Sequence, residues 1–118
     1  MDNKIREIWD NYALSWKCET AVEKQALFEK CLDVNCEYNS PVIQTKGWDE
    51  LINHMLDFHK NIPGGYFTTN YFLDYNSKSI AKWDMLNNEN TVIGNGVSYC
   101  EYNDNGKLKT MTGFFDVA

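Results

Sequence analysis

The chain has 118 residues, of which 43% are hydrophobic and 14% aromatic. That is enough apolar content for one packed domain over residues 1–118 and too much for a disordered chain. Seventeen acidic against eleven basic side chains give a formal net charge of -6 with no Lys/Arg cluster, so neither nucleic acid nor an anionic membrane surface is an expected partner.

No apolar run approaches the roughly 20 residues of a membrane-spanning helix. Residues 1–16 carry charges throughout and lack the apolar core of a secretion signal. The expectation is a cytoplasmic protein in which Cys18, Cys31, Cys36 and Cys100 are reduced thiols acting as small hydrophobes.

In chain order, Ile5, Ile8, Trp9, Tyr12 and Trp16 recur at three- and four-residue spacing and predict a first helix with one apolar stripe. Thr20 to Glu23 has the form of a capping box, in which hydroxyl and carboxylate each serve the other's backbone amide. It opens a second helix with Leu27, Phe28, Cys31 and Leu32 inward, ending at Asp33-Val34-Asn35. A short strand over residues 36–39 stops at Ser40-Pro41. Gly47 precedes a third helix with Asp49 and Glu50 in its first turn, where carboxylates suit the helix dipole. Its stripe is Leu51, Ile52, Met55 and Ile62, completed by Phe58 or His59, and Pro63-Gly64-Gly65 ends it.

Strands follow over residues 66–75, 79–86, 91–102 and 107–117. The second alternates, with Ala81, Trp83 and Met85 on one face and Lys82 and Asp84 on the other. Asp104-Asn105-Gly106 is a strong hairpin signal. The element order α-α-β-α-β-β-β-β predicts an α+β fold with three helices on one face of a strongly curved, mixed but mainly antiparallel sheet. The convex face keeps Ile80, Val97 and Tyr99, which predicts a homodimer burying it.

Several segments now read together: Trp9-x-x-Tyr12, residues 36–41, residues 47–52, Pro63-Gly64-Gly65, residues 82–85 and residues 106–115. In that order they resemble the SnoaL-like branch of the nuclear-transport-factor-2-like superfamily, over nearly the whole chain. The resemblance implies a cone-shaped fold with a central pocket. It does not fix an activity, because these relatives include isomerases, cyclases, dehydratases, epoxide hydrolases and non-enzymatic binders.

Ketosteroid isomerase, one such relative, uses an Asp base with a Tyr and a protonated Asp as oxyanion donors. By resemblance its tyrosine matches Tyr12, while Ser40 and Ser98 stand at the two carboxylate positions. The Arg-x-Asp pair of the epoxide hydrolase relatives matches Lys82-x-Asp84, and their second Asp falls at Gly113. A lysine is a point charge and not a bidentate fork, so neither constellation is carried over whole.

The candidate catalytic groups are Tyr12 as a hydrogen-bond donor, with Asp84 or His59 as the proton-transfer group. Alternation also allows Asp84 and Lys82 to be a solvated or dimer-facing pair. His54 is expected on the polar surface with Asn53, Asp57 and Lys60. The two histidines are five apart and do not converge on one ion, and there is no CxxC, so no metal or cofactor is expected. The candidate ligand-binding residues are Trp9, Trp16, Tyr38, Ser40, Met55 and Phe67, together with Trp83, Ser98, Met111, Gly113 and Phe115. Gly94, Gly96 and Gly113 either leave space above the sheet or let it bend. The expected function is binding of a small, largely apolar organic molecule. The alternatives are an isomerase, cyclase or lyase, and a protein-interaction module.

Overall fold

A computed structural model describes residues 4–116. Helix α1 (Lys4–Ser15) and helix α2 (Ala21–Cys31) are followed by strands β1 (Leu32–Asn39) and β2 (Gln44–Lys46). Helix α3 (Trp48–Asn61) and the long strands β3 (Tyr66–Tyr75), β4 (Lys78–Leu86), β5 (Val92–Tyr102) and β6 (Leu108–Phe114) complete the chain. The α+β cone with three helices against a mixed sheet is therefore present, with one strand more than the sequence pattern predicts. The last predicted strand reaches Val117, which lies outside the described residues; β6 ends at Phe114.

The six strands form one sheet in the order β2-β1-β6-β5-β4-β3. The pairing is antiparallel throughout except between β1 and β6, where Tyr38 stands opposite Met111. Strands β3 to β6 are sequential neighbours, while β1 is inserted beside the end of the chain. That crossover brings Tyr38 next to Gly113, two residues otherwise far apart in sequence.

Two local expectations are corrected. The second helix ends at Cys31, not at residues 33–35, because Leu32 is already extended. Its burial, with that of Cys36 and Tyr38, needs a strand. The Asp33 to Asn35 stretch is held by the Asn35 amide donating to the Asp33 carboxylate at 2.7 Å, a turn bond inside an irregular strand. Strand β2 was not predicted. It is three residues long and polar at both ends, so it carries no period, and pairing with β1 creates it.

The capping box is half realised. The Glu23 amide donates to the Thr20 hydroxyl at 3.2 Å, but that hydroxyl in turn donates to the Glu23 carboxylate at 2.9 Å. Gly47 starts α3 at φ +81°, a left-handed conformation open to glycine at little cost. Phe28, Leu51 and Met55 from the helices and Leu108 and Met111 from β6 are at most 1% exposed. Each such side chain contributes about 1.5–3 kcal/mol on burial. No helix among the described residues is long and apolar enough to cross a membrane.

Candidate functional site

Between α1, α3 and the inner face of the sheet lies a cavity of about 240 Å³. Its wall is built of rings. Helix α1 contributes Trp9, Tyr12 and Ala13, with Trp16 just beyond its end. Helix α3 contributes His54, Phe58 and Asn61, spaced four and three apart and hence aligned on one helix face. The sheet contributes Tyr38, Phe67, Trp83, Met85, Ser98 and Gly113, followed by Phe115. Val42 and Asn61 are exposed members of this lining and mark its rim, with Ile62 beside them.

The rings fix one another. Phe58 stacks on Phe67 at 5.3 Å between centroids, and Trp16 meets both edge-on at 5.5 and 5.4 Å. Phe67 then meets Trp83 edge-on at 5.1 Å, and Trp83 leans on Phe115 at 6.1 Å. Tilted and edge-to-face contacts of this kind add about 0.5–1.5 kcal/mol each beyond burial.

A few polar groups interrupt this surface. Burial, and then the neighbouring Tyr38, hold the Tyr12 phenol well above its ordinary pKa. Burial likewise pushes Tyr38 up to about 12. Both are therefore neutral hydrogen-bond donors at neutral pH. The Trp83 indole N–H donates to the Ser98 hydroxyl at 3.0 Å, which leaves the Ser98 proton for another acceptor. His54 packs against Tyr38 at 5.7 Å and edge-on to Trp16 at 5.8 Å. Burial lowers its pKa, so it is a neutral imidazole at pH 7. Among the described residues, no Asp, Glu, Lys or Arg lines the cavity.

Of the candidate site residues read from sequence, Tyr12, Trp9, Trp16, Tyr38, Phe67, Trp83, Ser98, Gly113 and Phe115 line this cavity, and Asp84, His59, Ser40, Met55 and Met111 do not. Asp84 follows strand alternation onto the convex face, opposite Thr68 and Asn95. Ser40 sits in the β1–β2 turn, where its hydroxyl accepts from the amides of Val42 and Ile43 at 3.3 Å. Met55 and Met111 lie fully in the core behind the wall. His59 points back to α1, its Nε2 2.6 Å from the Trp16 carbonyl.

That last contact belongs to a clamp the sequence did not reveal. The Lys24 ammonium is completely buried and donates to the carbonyls of Ser15 at 2.8 Å and Cys18 at 2.7 Å. Burial lowers its pKa to about 8. Lys24 and His59 thus hold the negative end of α1, the helix that carries Trp9, Tyr12 and Trp16. His54, expected on the surface, is instead the imidazole of the cavity. Its alignment with Phe58 and Asn61 was the available signal.

The glycines separate into two kinds. A Cβ at Gly96 would lie 2.5 Å from Cζ2 of Trp83 and 2.6 Å from the Phe114 carbonyl oxygen. Gly96 is therefore required for the indole to lie flat on the sheet. A Cβ at Gly113 would find nothing nearer than Phe115 at 3.8 Å and the Tyr38 hydroxyl at 3.9 Å. Gly113 leaves room there for a methyl-sized group, bounded at van der Waals contact by Phe115, Tyr38 and the Asn39 carbonyl.

No protein-family model and no curated protein matches the chain by sequence. The fold does have matches. It superposes with a TM-score of 0.88 and 17% identity on a candidate isomerase of the SnoaL-like family from Agrobacterium tumefaciens, covering 98% of this chain and 100% of that one. A candidate SnoaL-like polyketide cyclase from Jannaschia gives 0.76 at 9% identity, over 98% and 87% of the two chains. A candidate ketosteroid isomerase from Kribbella flavida gives 0.70 at 17% identity, over 98% and 80%. The chain thus has the cystatin-like cone of the SnoaL-like and nuclear-transport-factor-2-like proteins.

Proposed function

We propose that this protein binds a small, largely apolar organic molecule in the aromatic cavity. The observation that carries the reading is an open space of about 240 Å³, walled by rings, with isolated hydroxyls and, among the described residues, no formal charge. Burial of flat apolar surface would drive binding, and the Tyr12, Tyr38 and Ser98 hydroxyls would orient the ligand. The structural neighbours carry isomerase and cyclase names, which suits a cavity that takes a small molecule.

The second reading is an isomerase, cyclase or lyase. It is favoured by one observation, the neutral imidazole of His54 beside the Tyr38 phenol inside the cavity. There a base and a proton donor face the same space. With Asp84 on the convex face and His59 held by a carbonyl, His54 is the group to test for proton transfer.

Four free thiols, three of them buried, suit the reducing cytoplasm. We further propose a homodimer through the convex face. Leu73, Ile80 and Tyr99 lie side by side across β3, β4 and β5, all exposed in the isolated chain. Leu73→Glu should then halve the mass measured by light scattering; an unchanged mass would refute this interface. To test the pocket, a panel of neutral and charged ring compounds is titrated while the fluorescence of Trp9, Trp16 and Trp83 is followed. Saturable quenching that is lost in Gly113→Leu is expected. No quenching by any compound would remove the ligand reading.

A further inference from the structure

The shape of the cavity goes further than its existence, and what it says rests on the binding reading above. An apolar cavity of roughly 150 Å³ accepts one benzene ring, and drug-sized sites begin near 300 Å³. At about 240 Å³ this one falls between those limits.

Trp83 holds it there. Its ring lies directly over Gly96, its pairing partner on β5. Its indole nitrogen is tied to Ser98, and Phe67 and Phe115 pack against it at 5.1 and 6.1 Å. The indole cannot sink into the sheet, because the Gly96 backbone is already beneath it. It cannot swing away without leaving the Ser98 bond and both rings. A residue placed this way limits what the cone can hold.

The other end of the floor is less tightly filled, with room for a methyl-sized group. Gly113 stands opposite Ser98 in the sheet, and the Tyr38 hydroxyl hangs 3.9 Å from where its Cβ would be. An alanine methyl would meet only ordinary van der Waals distances there, so packing does not demand the glycine. That gap lies beside two neutral hydroxyl donors, with no cationic or anionic side chain among the described residues of the lining. An ionised ligand would lose its hydration without a counter-charge. A neutral oxygen acceptor would gain a donor.

We infer that the ligand is a neutral molecule of one or two fused rings whose oxygen acceptor sits over Gly113 against Tyr38, and that Trp83 is the residue setting the size limit.

The test is a matched series titrated by calorimetry into the intact protein: 1-tetralone, tetralin, 1-naphthoate and progesterone. These represent a two-ring ketone, its hydrocarbon, a two-ring anion and a four-ring ketone. The wild type should bind 1-tetralone about tenfold tighter than tetralin, the weight of one net hydrogen bond, and show no saturable binding of the other two. Tyr38→Phe should erase the tenfold difference. Gly113→Ala should melt near the wild-type temperature yet lose most 1-tetralone affinity. Trp83→Leu should admit progesterone, and Trp83→Phe serves the same purpose if Trp83→Leu does not fold.

Progesterone binding to the wild type as tightly as 1-tetralone would overturn the size limit. Tighter binding of 1-naphthoate would overturn the neutral class. Equal affinity for 1-tetralone and tetralin would overturn the acceptor site. If none of the series binds while another member of the broader panel does, this ligand class falls and the pocket reading stands. If nothing in either set binds, both fall.

Discussion

The two faces of the same sheet are built to opposite ends. On the inner face, Ala81, Trp83, Ser98 and Gly113 look at the helices and at a cavity. On the outer face the intervening residues, Ile80, Lys82, Asp84 and Tyr99, look away from them. Strand alternation alone decides which residues face the cavity. It denies the cavity its most obvious carboxylate and leaves it with neutral donors and rings. Ile80 and Tyr99 on the outer face are exposed in the isolated chain; the rings of the inner face are locked against one another.

The sharpest test of that contrast is truncation on each side. Trp16 touches Tyr12, Tyr38, Phe58 and Phe67, so Trp16→Ala should cost about 3–5 kcal/mol in urea unfolding. Leu73→Ala on the outer face, 56% exposed, should cost under about 1 kcal/mol at dilution where any dimer has dissociated. Similar costs would mean that the inner rings are loosely packed.

Alkaline pH should loosen the inner side next. Burial raises the thiols of Cys31, Cys36 and Cys100 to about 12 from their ordinary 9.0. The folded chain then holds protons that the unfolded chain has released. Stability is complete below pH 9 and falls as pH rises toward 12, by about 1.4 kcal/mol per unit for each thiol. Lys24 works the other way. Its pKa is lowered to about 8, so between there and 10.5 the unfolded chain binds the extra proton and stability gains with pH. The decline should therefore steepen above about pH 10.5, measured as the denaturation midpoint against pH. A flat profile from 9 to 12 would mean that these thiols are reached by water. The smallest effect is expected from Asp84→Asn: stability within about 0.5 kcal/mol and unchanged ligand affinity. A lost activity or affinity would put Asp84 back at the site.

Much of the fold could be read from the sequence, because its signals are periodic. The stripe of Trp9, Tyr12 and Trp16 and the alternation around Trp83 both fix a face without reference to anything distant. What could not be read depends on partners. Strand β2 exists only because β1 lies beside it. The burial of Lys24 needs the carbonyl end of α1 to arrive above it. The two histidines of α3 show the limit most clearly. That helix meets the core through Leu51, Ile52 and Met55 and the cavity through His54, Phe58 and Asn61. Its apolar stripe is thus broad, and nothing local says which edge of it faces the open space. Gly96 and Gly113 are indistinguishable in sequence; only the position of Trp83 separates a glycine that packing requires from one that leaves room.

A ligand in the cavity should be oriented from the Gly113 floor. A crystal structure of the protein soaked with 1-tetralone tests it most directly. The rings are expected between Trp16 and Trp83, with the ketone oxygen about 3 Å from the Tyr38 hydroxyl. A ketone pointing out past Val42, or a ligand seated only on the convex face, would contradict it.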